Sequence, residues 1–292
     1  MRKSIILIAT ILSVFFLIRT TSKGQQITNH LKGIVKNTIS KPSYINESGD
    51  SISTRVRVPE GFKRVTYPQG SFEEYLRNYK LKKYGTPIIN FDGSEYFAQH
   101  WHDAILEIPV PKNGLQQCAD ALMRIRAEYL WNKNLRHKIG FKFTSGHYCS
   151  WKQYAEGYRP KINGSKVKFL KTTNANYSKS NFYNYLNLIF TYAGTASLHA
   201  ELPKVKIKDL KIGDMLIQPG FPGHIEIIAD EIMNDKGEKM YLLVQGNTPA
   251  QNVCLLKNFE DIDISPWYRF AENEPVYTPS YYFDKPVFIR FK

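Results

Sequence analysis

The sequence predicts an α+β fold. Two strongly periodic helical segments come first, and a series of short apolar strands separated by Gly, Pro and Asn fills the last third. A hairpin turn, Asn234-Asp235-Lys236-Gly237, joins two of those strands, so the sheet is expected to be antiparallel. No internal repeat and no low-complexity block interrupts this layout.

In chain order, Arg2 and Lys3 precede an almost wholly apolar run from Ser4 to Ile18, closed by Arg19. Small residues at Ser22 and Gly24 then suit a signal peptidase, with cleavage before Gln25. The run is shorter than the ~20 residues of a spanning helix, which argues against a retained anchor. Residues 1–24 are therefore expected to be a signal peptide, and the protein to be exported, periplasmic or extracellular. No cysteine near the cut suggests a lipid anchor, and no later run is long and apolar enough to suggest a transmembrane segment after cleavage. Residues 25–55 are polar and lack steady periodicity, so they read as a linker or arm. Residues 56–292 read as a single α+β domain.

Within that domain, Ser71 and Glu74 form a capping box for a short helix to about Lys80. Pro87 to Phe91 and Ala104 to Val110 read as strands. Leu115 to Trp131 is the clearest helix, with Leu115, Cys118, Leu122, Ile125 and Tyr129 on one apolar stripe. Asp120, Arg124 and Glu128 recur four apart on another face and can pair. Ile139 to Thr144 reads as a strand, Ser150 to Glu156 as a short helix and Lys166 to Leu170 as a strand. A second strong helix runs from about Asn181 to Ala193, stopped by Gly194. Strands follow at Met215 to Gln218, Ile225 to Glu231, Met240 to Gln245, Asn252 to Leu256 and Val287 to Phe291.

Composition is that of a globular protein, 42% hydrophobic and 23% charged, which excludes a disordered chain. The formal charge is +14, and about +10 remains once Arg2, Lys3, Arg19 and Lys23 are set aside. A basic exported protein is drawn to anionic envelope polymers. The lysines are scattered and no basic helix or RNA-binding motif appears, so nucleic acid is not an expected partner. His100 and His102 have no third ligand at a metal-site spacing, so no metal is expected, and no cofactor motif is present.

The stretch from Gly213 to Ile228 carries the chemistry. A strand ends in a loop with two Pro and two Gly, and a second strand begins at His224. Alternation puts Ile225 and Ile227 on the core face and His224, Glu226 and Asp230 on the other. A histidine at the mouth of a sheet suits a general base; a histidine that merely ends a strand is the other reading.

The helix ending Tyr192-Ala193-Gly194, then Leu210 to Met215, Gly223-His224-Ile225 and a hairpin to Val244-Gln245, resembles the core of NlpC-type cell-wall peptidases, which are papain-like cysteine enzymes. The resemblance covers about Ser180 to Gln251 and implies a peptidase-like core at about 180–292, with helices packed on an antiparallel sheet and an N-terminal α/β extension before it. It implies His224 as base, Gln245 as the residue that orients it, and a helix-borne cysteine at or near Phe182. No cysteine stands there. The mature chain as a whole also resembles an exported bacterial family of unknown function, on Leu115 to Ala121, Phe143 to Gly146, Glu156 to Arg159, Tyr192 to Thr195, Phe221 to His224, Thr248 to Gln251 and Ser265 to Tyr268.

Three cysteines remain as replacements. Cys118, on the apolar stripe, reads as core. Cys254, between Val253 and Leu255, has nothing nearby to activate it. Cys149 is expected to open a short helix, on its polar side with Lys152 and Gln153, where backbone N–H groups favour a thiolate. It is the candidate nucleophile, against an ordinary helix-end thiol. Trp151, Tyr158 and Arg159 are candidate binding residues for a sugar ring or carboxylate, against a core helix with a surface ion pair. Two functions follow. The first is an exported papain-like hydrolase of cell-wall peptides or another amide. The second is a non-catalytic module of the same fold that binds an envelope glycan, peptide or protein.

Overall fold

The computed structural model describes residues 44–292. The expected signal peptide and residues 25–43 of the expected arm lie outside the described residues. The rest of that arm is folded: Ile45, Ile52 and Val56 are buried, Ile45 bridges to Val56, and Ser51 bridges to Lys80.

The described residues begin with α1 (Ile52–Arg55), β1 (Phe62–Arg64) and α2 (Phe72–Arg77). Ser71 caps α2, its Oγ accepting the Glu74 N–H at 3.1 Å, as the capping box predicts. β2 (His102–Ile105) precedes the long helix α3 (Cys118–Asn132). Next come β3 (Gly140–Lys142), β4 (Tyr148–Ser150), α4 (Trp151–Ala155), β5 (Tyr158–Asn163), β6 (Lys166–Lys171), α5 (Lys179–Tyr192) and α6 (Thr195–Glu201). The last third holds β7 (Lys204–Val205), β8 (Asp214–Gln218), β9 (His224–Asn234), β10 (Lys239–Gln245), β11 (Cys254–Leu256), β12 (Val276–Tyr277), β13 (Tyr282–Phe283) and β14 (Val287–Arg290).

The α+β class is as expected. The central sheet is antiparallel in the order β2-β11-β10-β9-β8-β14-β7, with β1 pairing the far half of β9. The Asn234 to Gly237 turn joins β9 to β10, with Gly237 at φ 81°. β5 and β6 form a separate hairpin, of which only the second strand is expected from alternation. Residues Pro87 to Phe91 make isolated bridges rather than a strand, through Ile89 to Glu95 and Asn90 to Gln251.

α3 is more deeply placed than one apolar stripe implies. Ala119, Ala121, Leu122, Met123, Ile125 and Ala127 are all buried. Its polar residues are drawn inside with it. Arg124 pairs with Glu128 at 2.9 Å and gives further hydrogen bonds to Gln116 Oε1 and the Pro109 carbonyl. Asp120 does not join that pair but turns back on the helix start. The sequence lets α3 approach the sheet closely: a Cβ at Gly246, just past β10, would lie 2.8 Å from the Ala121 Cβ.

β9 departs from simple alternation. Leu242 pairs with Asp230 and Leu243 with Ile228, so Ala229 is an extra residue in a β-bulge. His224, Glu226 and Ile228 share one face, while the bulge turns Asp230 to the opposite one, correcting the expectation that all three polar residues sit together. Asp230 is fully buried there and binds Arg64 at 2.7 Å and Arg77 at 2.6 Å. The Gly213-Asp214 pair is also structural, with Gly213 at φ 93° and Asp214 clamping Arg290 of β14 at 2.5 Å.

Among the described residues, no helix is long and apolar enough to cross a membrane.

Candidate active site

Cys118 is the first residue of α3. The chain before it is folded onto itself: Asn113 Oδ1 accepts the Leu115 N–H at 3.1 Å, and Asp120 Oδ2 accepts the Gln117 N–H at 3.0 Å. That reach-back caps the helix and fixes where its first turn begins. The Cys118 N–H belongs to the first turn, which has no intrahelical acceptor, and the positive end of the helix dipole favours a thiolate here.

His224 is the first residue of β9, opposite Gln218 of β8. The Pro219 to Gly223 loop delivers it. A Cβ at Gly223 would lie 2.3 Å from Thr195 Oγ1 and 2.5 Å from the Gly220 carbonyl, so only glycine lets this loop close against α6. The His224 side chain shares one cleft with the Cys118 thiol, whose hydrogen bonding and charge act to raise its pKa. Its Nε2 donates to Gln245 Oε1, at 2.7 Å, which leaves Nδ1 for the sulfur. The ring stacks on Tyr281, with centroids 5.2 Å apart.

Gln245 ends β10 and is held in turn. Its Oε1 accepts the Ser280 hydroxyl at 2.5 Å, and its side chain also hydrogen-bonds the Cys254 thiol on the neighbouring strand. Burial pushes the Cys254 thiol up to about 12, so Cys254 is a neutral prop for Gln245. Glu226, two residues along β9, is wholly buried, with Oε1 3.4 Å from His224 Nε2 and accepting the Thr278 hydroxyl at 2.7 Å. Burial acts to lower the His224 pKa, but hydrogen bonds and negative charge from Cys118 and Glu226 outweigh it and raise it to about 10. Among these groups the arrangement can carry a thiolate–imidazolium pair, the form in which a cysteine attacks a carbonyl carbon.

The Cys118–His224 pair lies in a cleft of about 530 Å³. The end of α5 and the start of α6 form one wall through Tyr192, Gly194 and Thr195. Phe221, Thr248 and Tyr281 line other parts, and Phe221 stands 91% exposed at the lip. Asp120 is the one acidic residue in the described lining; burial raises its carboxyl to about 7.

Two of the three residues expected to act together, His224 and Gln245, meet here. Cys149 does not. It lies in β4 opposite Phe141, one residue before Ser150, which is the true N-cap of α4. The helix-start argument therefore belongs to Ser150 and Trp151. The Cys149 side chain is buried rather than on a polar face, and burial pushes its thiol up to about 12 despite the charge of Arg159. Trp151, Tyr158 and Arg159 do not line the cleft. Trp151 is sealed among Trp131, Phe182 and Tyr185, and Arg159 stacks on Tyr154 at 3.6 Å while donating to the Tyr154 and Tyr158 carbonyls. Phe182 is a fully buried core residue. Cys118, read from the sequence as core, is the cysteine that touches His224. The signal for it was present in Gln117 and Asp120, which mark the helix start at position 118. Ser280 and Thr278 carried no signal, since nothing local relates them to residues more than thirty positions away.

No curated protein and no solved structure matches the chain. The family model described as Domain of unknown function (4846) matches residues 52–290, a span that holds Cys118, His224, Gln245 and Ser280, and the chain belongs to that family.

Proposed function

We propose that this protein is an exported, papain-like cysteine hydrolase that cuts an amide bond in cell-wall peptides. The observation that carries the reading is the contact of a helix-start cysteine, Cys118, with a strand-start histidine, His224, whose other ring nitrogen is fixed by Gln245. Cys118 Sγ attacks the amide carbonyl carbon and forms a thioester. His224 takes the thiol proton and gives it to the leaving amine. Water then attacks the thioester carbon, a proton returns through His224 to the sulfur, and the acid leaves. The N–H of Cys118 and the end of α3 point positive charge at the oxyanion that forms in each half.

The cleft's lining favours peptide over a strongly charged ligand. It offers backbone at Gly194, Gly220 and Gly223, hydroxyls at Thr195 and Thr248, and aromatic rings at Phe221 and Tyr281. Export to the envelope rests on the apolar N-terminal run, and the basic mature chain suits an anionic wall. The direct test is incubation of the purified mature protein with peptidoglycan, reading soluble peptides by mass spectrometry. Wild type is expected to release them. Cys118→Ala and His224→Ala are expected to fall by three or more orders of magnitude, in line with loss of one member of a catalytic unit. Equal release by wild type and Cys118→Ala would sink the reading.

A further inference from the structure

Glu226 is a carboxylate without exposure to water, beside a ring that needs a charge. Its Oε1 takes the Thr278 hydroxyl at 2.7 Å, lies 3.3 Å from Ser280 Oγ, and lies 3.4 Å from His224 Nε2. Its Oε2 is buried with no hydrogen-bond partner among the described residues. His224 is the one ion-pair partner Glu226 has among the described residues. An isolated buried carboxylate costs several kcal/mol unless a cation or enough donors meet it. Thr278 gives one close hydroxyl, and the single Ser280 proton lies nearer Gln245, so the fold favours the charged form of His224.

We propose that Glu226 is a positioning residue that holds His224 as an imidazolium, so that Cys118 rests as a thiolate before substrate arrives. This inference rests on the Cys118–His224 reading given above. The geometry supplies the link. His224 Nε2–H is committed to Gln245 Oε1, so the second proton of an imidazolium sits on Nδ1, the nitrogen left for Cys118. Glu226 is next to Nε2, on the side of the ring away from that nitrogen. Its negative charge therefore stabilises the imidazolium more than it opposes the thiolate. Ser280 ties the two partners together, lying 2.5 Å from Gln245 Oε1 and 3.3 Å from Glu226 Oε1, so the ring is held by a pair of oxygens rather than by one amide.

Three other titratable groups packed against this centre do not supply the charge, and Asp120 of α3 turns its carboxyl back onto the Gln117 N–H. Tyr281, stacked on the ring, has its phenol raised by burial. Cys254, across from Gln245, has its thiol raised to about 12, and Tyr268 has its phenol raised further, each by burial first and the charge of Glu226 after it. All three stay neutral through the neutral range. Glu226 is thus the source of negative charge on this face of β9.

The test reads the thiolate of Cys118 directly, as ultraviolet absorbance of the full mature protein minus that of Cys118→Ser, followed against pH. Wild type is expected to show the Cys118 thiolate at neutral pH. Glu226→Gln keeps the shape and removes the charge; it is expected to lower the neutral-pH thiolate fraction about tenfold or more, the effect of one charge at this range. Glu226→Asp is expected to restore part of it. A Glu226→Gln protein that melts like wild type and keeps the wild-type profile overturns the inference. Should that variant not fold, nitrogen NMR of His224 in the wild type decides: two protonated ring nitrogens at pH 8 support the inference and a neutral ring overturns it. A wild-type thiolate that appears as described, with no peptide released from peptidoglycan, overturns the hydrolysis reading and leaves this one standing.

Discussion

Cys118 stands on an apolar stripe and at a helix start, and the two facts sort it in opposite directions. Periodicity counts a first-turn residue with the core because its Cα lies in line with Leu122 and Ile125. The first turn, however, is where a side chain can lie against the core and still meet a cleft. Cys118 does both, 7% exposed and in contact with His224. Cys149 is the reverse case. It stands one position before the N-cap, and that one position moves it from a helix end to the middle of a strand pair. Cys149→Ala is accordingly expected to cost about 1–2 kcal/mol of stability through lost packing at a buried position, with no change in peptide release. Thermal unfolding and the release assay on the same sample check both parts. His224 was legible because Gly and Pro before a strand announce where the strand begins. Ser280 and Glu226 were not, since their roles depend on partners brought by the fold.

At the scale of elements, the start of α3 sets the site. Asp120 caps the Gln117 N–H with one oxygen while the other, Oδ1, is buried with no partner among the described residues. Burial is the largest influence on it and raises its pKa from 3.8 to about 7. A carboxyl that holds its proton more tightly when folded stabilises the fold below pH 4. It loses that contribution between about pH 4 and 7, as the unfolded chain releases the proton first. Asp120→Asn keeps the acceptor and abolishes the charge. It is expected to be more stable than wild type above pH 7, by at most about 4 kcal/mol, with the difference gone near pH 4. Denaturant unfolding at pH 4 and pH 8 measures it; a variant less stable at pH 8 refutes the account. The element boundaries themselves were largely legible, from the Ser71 cap and the strands of the last third. The bulge at Ala229 was not, because an extra residue in a strand leaves no trace in an apolar run, and it moved Asp230 from the site to the Arg64–Arg77 pair.

Over the whole molecule, the site is a product of topology. α3 comes from the middle of the chain, β9 and β10 from the last third, and the Thr278 to Phe283 segment from near the end, and the antiparallel sheet brings them to one cleft. The α+β class follows from local pattern, while the pairing of residues 118, 224, 245 and 280 needs the tertiary fold. What tests the central claim most directly is the site of alkylation by iodoacetamide on the native mature protein at pH 7, mapped by peptide mass spectrometry. The account predicts label at Cys118, little at buried Cys149 and Cys254, and a rate at Cys118 that drops at least tenfold in His224→Ala. Label at Cys149 or Cys254 ahead of Cys118, or a rate indifferent to His224, would contradict it.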